Sequence, residues 1–444
     1  MVFPDERRSS SSTTWREPSP YSRRETDMKR YDCIIIGGGA AGLTAAIQLG
    51  RHKRSVLLIE QCKELGKKLY ATGNGRCNFT NSHYDEQTYR GDGAFANAVY
   101  EKFPYGNTLL FMHSIGVLQQ EKDGYFYPYT NQAKTVVTAL IQALPEDFVE
   151  LCLDRVVKKV VRTEEKIYHV TTSYGEFEGK CILLASGGRA STSFAPEDKA
   201  GYNLAEQLGH NITPLYPALC ALHGEAAKSY EWKGIRANAS VRLYKDAGCE
   251  EPLGPLCQGE LQLTDYGISG IPVFQVSRYA AAALGEGESV YAQIDFLPEY
   301  SYRDLAVLLN QAQFSEKVTI LQYLCGYLQE PLARAVIAGS SLQPENPITS
   351  CTKEQWEGLM RCAKQFVLPI TGTAGWNQAQ VTAGGVETRL IDSGTMESKI
   401  SLGCFFAGEV LDVDGTCGGY NLQFAFSSAM VAAQGIEARL EKMK

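Results

Sequence analysis

The 444-residue sequence has no long apolar run, and none of its hydrophobic stretches approaches the roughly 20 residues that span a bilayer. We therefore predict no membrane-spanning helix. Basic residues do not prevail either: 43 Lys and Arg residues stand against 50 Asp and Glu residues, giving a net charge of −7. General nucleic-acid binding depends on Lys and Arg that neutralise phosphates, so this balance argues against nucleic acid as a partner.

Patterns for metal binding and for disulfide redox chemistry are also missing. The 13 cysteines include no C-x-x-C pair, and the six histidines form no H-x-x-x-H pattern. Scattered thiols without such spacing are typical of small buried side chains in a reducing compartment. We therefore expect no metal site, no dithiol relay and a cytoplasmic location.

Residues 1–29 contain little apolar material and are rich in Ser, Arg and Pro. Their acidic residues are unlike a mitochondrial transit peptide, and the apolar segment of a secretory signal is missing. We predict that residues 1–29 form a disordered extension. Met28 directly precedes the first predicted strand and is a candidate translation start.

Glycine, by contrast, is abundant, with 42 residues. Residues 31–36 are an apolar, β-branched run typical of a buried parallel strand, and they lead into the stretch Gly37-Gly38-Gly39-Ala40-Ala41-Gly42. In a strand–glycine–helix unit, Gly37 allows the tight turn, Gly39 the close approach of a pyrophosphate, and Gly42 close helix packing. The N-terminus of the next helix offers free N–H groups to phosphates.

A second strand, residues 55–59, ends at Glu60, roughly 20 residues after these glycines. An acid at this spacing accepts hydrogen bonds from a ribose in dinucleotide-binding folds. Strand, glycines, helix, strand and acid in this order predict an α/β protein with a Rossmann-type domain. This unit alone fits both NAD and FAD.

Segments further along the chain favour FAD. Residues 66–81 form a loop rich in glycine and hydrogen-bond donors that is suited to a phosphate-bearing ligand. After Glu409, a glycine-rich stretch leads into a long helix for which Asn421 is the predicted N-cap. The N-terminus of that helix would stabilise negative charge on a reduced flavin. A second dinucleotide fingerprint is missing, so NADH or NADPH, if it is the electron donor, would dock transiently at the flavin. The alternative is that the substrate itself delivers the electrons.

Together, several of these motifs resemble those of the HI0933-like flavoproteins. The segments that carry the resemblance are residues 31–42, 66–81, 185–188 and 403–423. It implies FAD bound without a covalent link in a domain of the glutathione-reductase type, formed by residues 30–205 and 380–444. It also implies two inserted units: a β-barrel-like domain of residues 206–300 and 366–379, and a helical subdomain of residues 301–365.

The resemblance further implies which residues bind FAD. They belong to the glycine turn, the polar loop, a strand of the first domain, two strand ends and the start of the last helix: Gly37, Gly39, Ala41, Gly42, Glu60, Gln61, Lys68, Thr72, Gly73, Asn74, Gly75, Arg76, Cys77, Asn78, Val157, Ser186, Gly187, Gly408, Glu409, Asp414, Asn421, Leu422 and Gln423. We expect Cys77 to be a small buried side chain, although its neighbour Arg76 would favour a reactive thiolate. The catalytic residues are not assigned, and Tyr420 is a candidate.

The activity that the resemblance implies is that of an FAD-dependent oxidoreductase acting on a small molecule. The first interpretation is NAD(P)H-driven reduction of a conjugated C=C bond in a 3-oxo-Δ4 or Δ4,6 steroid or bile-acid-like enone. The alternatives are a flavin amine oxidase of the aminoacetone type with O2 as acceptor, and a non-catalytic flavin-binding partner protein. Thr264 to Pro272 differ from the family's T-H-x-G-x-S-G-P stretch, which we expect to border the substrate.

Overall fold

The computed structural model describes residues 28–191, 199–311 and 317–444, so the predicted extension lies almost wholly outside the described residues. The strands are β1 (Arg30–Ile36), β2 (Val56–Ile59), β3 (Thr80–Asn81), β4 (Tyr89–Gly91), β5 (Gln119–Lys122), β6 (Tyr125–Pro128), β7 (Val149–Cys152), β8 (Val157–Arg162), β9 (Tyr168–Thr172), β10 (Glu176–Leu184), β11 (Tyr216–Ala218), β12 (Leu222–His223), β13 (Arg236–Tyr244), β14 (Pro252–Leu263), β15 (Gly267–Gly270), β16 (Val290–Asp295), β17 (Phe366–Ile370), β18 (Gly372–Thr373), β19 (Val381–Ala383), β20 (Cys404–Phe406) and β21 (Val413–Gly415). The α-helices are α1 (Ala40–Arg51), α2 (Gly93–Lys102), α3 (Tyr105–Ser114), α4 (Ala133–Gln142), α5 (Ala200–Gln207), α6 (Ile271–Gly285), α7 (Tyr302–Gln311), α8 (Ile320–Leu324), α9 (Glu330–Ala338), α10 (Lys353–Lys364) and α11 (Tyr420–Glu441).

The first sheet is centred on apolar strands that are buried on both faces. Its order is β7-β2-β1-β10-β9-β8, and β20 also pairs with β10. Strands β7, β2, β1, β10 and β20 run parallel, whereas β10, β9 and β8 form an antiparallel meander. Helices α1 and α11 pack on each other and on strands of this sheet. The parallel sheet with its helices is a Rossmann architecture and confirms the predicted fold class.

One strand prediction is wrong. Residues 148–160 alternate apolar and polar side chains, a pattern that predicts part of an antiparallel meander, but the segment contains two strands in different places. Strand β8 joins the meander, whereas β7 is the parallel edge strand beside β2. Only Val149 of β7 is buried, so this strand mixes apolar and polar residues like a meander strand, and the sequence pattern does not distinguish the two.

The inserted sheet closes on itself. Its strands follow the order β17-β16-β13-β14-β15-β12-β18, and every neighbouring pair is antiparallel. The two outermost strands, β17 and β18, are separated in the chain by Thr371 alone, so the end of the sheet joins its beginning. The insert is therefore a barrel, in agreement with the prediction, and α6 packs on β13, β14 and β15.

Two separate apolar cores divide the chain between the sheets. One contains the Rossmann strands with α1 and α11, and the other contains the barrel with α8, α9 and α10. A two-stranded ribbon of β11 and β19 lies where the chain leaves the Rossmann part and returns to it. The exact domain boundaries stay a prediction. Within the described residues, every helix is too short or too polar to cross a bilayer.

Candidate functional site

A large cavity, the main cavity, lies at the carboxyl ends of the parallel strands. Its empty volume is about 1480 Å3, part of which opens to solvent. Its walls include the glycine turn after β1, the end of β2, the segment after β10 and the segment after β20. Ligands of open α/β sheets bind at this end of the strands, so the topology itself points to this cavity.

The glycine turn shapes the floor of the main cavity. Gly37 has a φ of +111°, and a Cβ there would lie 2.3 Å from the carbonyl oxygen of Ala185. A Cβ on Gly42 would lie 1.8 Å from the carbonyl oxygen of Gly37, so α1 can approach β1 only without a side chain. A Cβ on Gly39 would have no atom within 4 Å. The turn is therefore closely packed at Gly37 and Gly42 and open to the cavity at Gly39, where a pyrophosphate needs space.

Helix α1 starts directly at this open side. Its N-cap is Gly39, no side chain caps it, and its first turn contains no acidic residue. The backbone N–H groups of a first turn have no partners inside the helix, and the helix dipole is positive there. This helix end is therefore available to a phosphate.

Glu60 is held in place at the end of β2. Its Oε2 accepts a hydrogen bond of 2.7 Å from the backbone N–H of Gly38, and its Oε1 accepts one of 2.8 Å from Cys62. Two backbone donors fix the carboxylate while leaving it on the cavity wall. A carboxylate held in this way suits the hydroxyl groups of a ribose.

An ion pair connects distant parts of the chain on the cavity wall. The Nζ of Lys68 lies 2.7 Å from Oε2 of Glu409, and both residues line the cavity. The Oε1 of Glu409 accepts a hydrogen bond of 2.8 Å from the backbone N–H of Thr382. The ammonium group of Lys68 thus already has a carboxylate partner.

Helix α11 points its N-terminal turn into the main cavity, but its cap differs from the prediction. The N-cap is Gly419, with a φ of +93°, and not Asn421. The Asn421 side chain instead accepts from the N–H of Gly415 at 2.8 Å and donates to its carbonyl at 2.9 Å. Asn421 therefore stabilises the turn before the helix. Gly419 is the cap instead, because glycine adopts the left-handed conformation of that position without strain.

The structure brings many of the predicted FAD residues together on the main cavity. Those that line it are Gly37, Gly39, Ala41, Glu60, Gln61, Lys68, Thr72, Val157, Ser186, Gly187, Gly408, Glu409, Asn421 and Leu422. The predicted residues outside its lining are Gly42, Gly73, Asn74, Gly75, Arg76, Cys77, Asn78, Asp414 and Gln423. Several of the residues outside the lining contact other parts of the protein instead.

Cys77 is fully buried, and burial raises the pKa of its thiol to about 12. The guanidinium of Arg76 stacks on Tyr127 at 5.5 Å, on the exposed side of the loop. Burial thus disfavours the thiolate that Arg76 would favour, because desolvation penalises the charged form of the thiol. Cys77 is a small buried side chain, as expected.

Gln423, Asp414 and Tyr420 also face away from the main cavity. Gln423 donates to the carbonyl of Phe103 at 3.1 Å. Asp414 is 1% exposed and pairs with Arg278 of α6, with an N–O distance of 2.9 Å. The hydroxyl of Tyr420 donates to the carbonyl of His83. These three residues contact the surroundings of the α11 start, outside the lining of the main cavity, and their roles toward FAD and in catalysis stay predictions.

Sequence reasoning missed other parts of the cavity wall. They come from the start of the polar loop, from the segment before β8, from α5, and from the first residue of β19 with the one before it: Gly66, Lys67, Leu69, Arg155, Ala200, Gly201, Leu204, Gln380 and Val381. The loop residues adjoin predicted ones and could have been included. Gln380 and Val381 carry no local signal, because only the barrel's return path brings them here. The T-H-x-G-x-S-G-P counterpart, Thr264 to Pro272, lies in and beside β15 and does not line the main cavity.

The cavity fits FAD on its own geometry. The Oγ of Ser186 is buried on its wall and finds no hydrogen-bond partner in the described parts of the chain. A buried hydroxyl without a partner is costly, and a ligand with polar atoms would satisfy it. The open space above Gly39, the uncapped start of α1 and the fixed Glu60 carboxylate supply the remaining contacts for a dinucleotide.

Known proteins are similar to this chain over nearly its whole length. Residues 31–435 match the family model described as HI0933-like protein Rossmann domain. The 3-dehydro-bile acid delta(4,6)-reductase of Clostridium scindens is 37% identical over 411 residues, which cover 91% of this chain and 98% of that protein. The ribosomal RNA dihydrouridine synthase of Haemophilus influenzae is 30% identical and covered to 99%, with 92% of this chain aligned. The Escherichia coli synthase of the same name is 28% identical, with 93% of this chain and 99% of that protein aligned.

Proposed function

The chain belongs to the HI0933-like family and is an FAD-dependent oxidoreductase, and we propose that it reduces the conjugated C=C bond of a 3-oxo-Δ4 or Δ4,6 steroid or bile-acid-like enone. NADH or NADPH is the proposed electron donor. The observation that carries the proposal is the 37% identity to the Clostridium scindens reductase over 98% of that protein. The main cavity supports it, because the glycine turn, the uncapped start of α1 and Glu60 on its wall are suited to a dinucleotide.

Bound FAD would supply hydride transfer, and the protein would supply orientation and electrostatics. The glycine turn and the uncapped start of α1 would hold the pyrophosphate, and Glu60 would hold the adenosine ribose. The first turn of α11, with Asn421 and Leu422 on the cavity wall, would place a positive helix end beside the electron-rich ring. Leu69, Leu204 and Val381 would exclude water from the site.

The test is anaerobic reduction of the purified, FAD-loaded protein with NADH and, separately, NADPH. We expect the flavin absorbance to bleach rapidly, to return on addition of a 3-oxo-Δ4 steroid, and to return only slowly in air. Bleaching by aminoacetone with release of peroxide would contradict the proposal and favour the amine oxidase. A flavin that responds to no donor would favour the non-catalytic flavin-binding protein.

A second candidate is reduction of a uracil ring in ribosomal RNA. The 30% identity to the Haemophilus influenzae synthase, over 92% of this chain, favours it. The chemistry is of the same kind, because the uracil C=C bond is also conjugated to a carbonyl group. The net charge of −7 favours the small-molecule substrate. Incubating the NADPH-supplied protein with ribosomal RNA and with the steroid, and analysing both by mass spectrometry, separates the candidates by which substrate gains two hydrogens.

A further inference from the structure

A second cavity lies between the Rossmann part and helix α6 of the barrel. This interface cavity has an empty volume of about 590 Å3, part of it open to solvent. Gly91 and Asp412 line it from the Rossmann part, and Arg278 and Tyr279 line it from α6. The predicted FAD contacts do not include any of these residues. A cavity between two structural units is a common place for a small-molecule site.

The interface cavity and the main cavity are neighbours along strand β19. Val381 lines the main cavity, and Ala383 lines the interface cavity. Residues two apart in a strand lie on the same face, about 7 Å from each other. Both side chains belong to one apolar cluster, to which Leu219 and Phe274 also contribute. The two cavities thus adjoin the same short stretch of β19, so a substrate longer than a single ring, with one end at the flavin, would reach the interface cavity past Val381 and Ala383.

The polar groups of the interface cavity are balanced in charge. Arg278 pairs with the buried Asp414, and the nearby Arg90 donates to the carbonyl of Gln275 at 2.9 Å. The half-buried Asp412 is the second carboxylate near these two arginines. The charged residues that line the interface cavity are one cation, Arg278, and one carboxylate, Asp412, so its wall has no excess charge that would attract an ionic ligand. Arg278 has N–H groups beyond the one directed at Asp414. The Asp412 carboxylate, which already has a hydrogen bond to Thr213, has further lone pairs. A ligand group that both donates and accepts hydrogen bonds, such as a hydroxyl, can therefore bind to both residues.

We infer that the interface cavity binds a hydroxyl group at the end of the substrate remote from the enone, with Arg278 as donor and Asp412 as acceptor. This inference rests on the proposed function, because it assumes that the enone end lies at the flavin. It makes the enzyme selective for hydroxylated steroids. An analogue without this hydroxyl loses both hydrogen bonds to the site, so its kcat/KM should be lower.

The experiment compares two 3-oxo-Δ4 steroids that differ only in a hydroxyl group on the ring remote from the enone. The ratio of their kcat/KM values is measured for the wild type and for Asp412→Ala, Asp412→Asn and Asp147→Ala. The ratio from one preparation does not depend on the fraction of folded enzyme. Asp147 is an exposed acid far along the chain from the cavity residues and serves as the matched control.

We expect the wild type to prefer the hydroxylated steroid by about tenfold or more, as a hydrogen bond to a charged group provides. Asp412→Ala should remove most of this preference, Asp412→Asn should keep part of it because the amide oxygen still accepts, and Asp147→Ala should keep all of it. A wild-type ratio near one, or a ratio that Asp412→Ala leaves unchanged, overturns the inference and leaves the proposed function standing. Reduction of neither steroid overturns both.

Discussion

Gly39 and Gly42 are three positions apart in the same turn, but a side chain has opposite effects at the two. A Cβ on Gly39 enters the open main cavity, whereas a Cβ on Gly42 meets the carbonyl oxygen of Gly37 at 1.8 Å. A side chain at position 39 would thus take up space in the cavity, whereas one at position 42 would disturb the packing of the fold. Substitutions can therefore separate cofactor binding from stability.

We predict that Gly39→Val folds with a thermal midpoint close to that of the wild-type apoprotein but purifies without FAD, because its side chain occupies the space of the pyrophosphate. Gly42→Ala should lose about 1–3 kcal/mol of stability, because α1 must move away from β1. Flavin absorbance and thermal unfolding of both apoproteins measure the two effects. A yellow Gly39→Val protein would contradict the assignment of the turn.

At the scale of the element, the start of α11 depends on a backbone conformation that few residues adopt. Gly419 has a φ of +93°, and a Cβ there would lie 2.7 Å from Oδ1 of Asn78 and 3.0 Å from the carbonyl of Thr80. The cap thus brings the polar loop and the last helix into direct contact. The loop residues Asn78 and Thr80 support the helix that faces the main cavity.

We predict that Gly419→Ala destabilises the protein by about 1–3 kcal/mol and weakens FAD binding, because the helix start must shift. The matched control is Gly93→Ala at the start of α2, where a Cβ would meet no atom within 4 Å. That variant should be neutral or slightly more stable, by up to about 1 kcal/mol. Urea unfolding and FAD titration check both, and equal behaviour of the two variants would disprove the role of the cap.

The elements also show how far the sequence allows prediction. Strand β1, the glycine turn and Glu60 follow one another within a short stretch, and local patterns identified all of them. The prediction of Asn421 as the N-cap of α11 is wrong, because glycine and Asn both occur as helix caps and both stand near the start of this helix. The prediction for β7 is wrong, because a parallel edge strand and a meander strand show the same mixture of apolar and polar residues. Gln380 and Val381 reach the main cavity only through the closure of a distant barrel, which local patterns do not report.

At the scale of the whole molecule, a buried ion pair joins the barrel to the Rossmann part. Asp414 of β21 and Arg278 of α6 lie 2.9 Å apart, and burial raises the pKa of Asp414 from its ordinary value of 3.8 to about 6, against the opposing effect of Arg278. Between these two pKa values the folded protein keeps a proton that the unfolded chain has released. Raising the pH across this window therefore costs the folded state stability.

We predict that the unfolding free energy of the wild type, relative to Asp414→Asn, falls as the pH rises from about 4 to about 6, by on the order of 2–3 kcal/mol, and is constant above. The Asn side chain does not titrate, so the variant lacks this pH-dependent part of the unfolding free energy. The loss of the partner of Arg278 changes the unfolding free energy by the same amount at every pH of the series. Urea unfolding at several pH values measures the difference. A difference that is flat, or that rises with pH, would contradict the burial of a titrating carboxyl at the interface.

The closure of the barrel by β17 and β18 affects how the nascent chain can fold on the ribosome. Strand β20, which completes the first sheet beside β10, and α11, which covers it, also come after the insert in the chain. Both sheets therefore wait for residues beyond 366, and during translation β10 and β12 each have an unpaired side. Open strand edges of this kind can pair with other chains, so we expect the growing polypeptide to be prone to wrong pairing until β17, β18 and β20 have been synthesised.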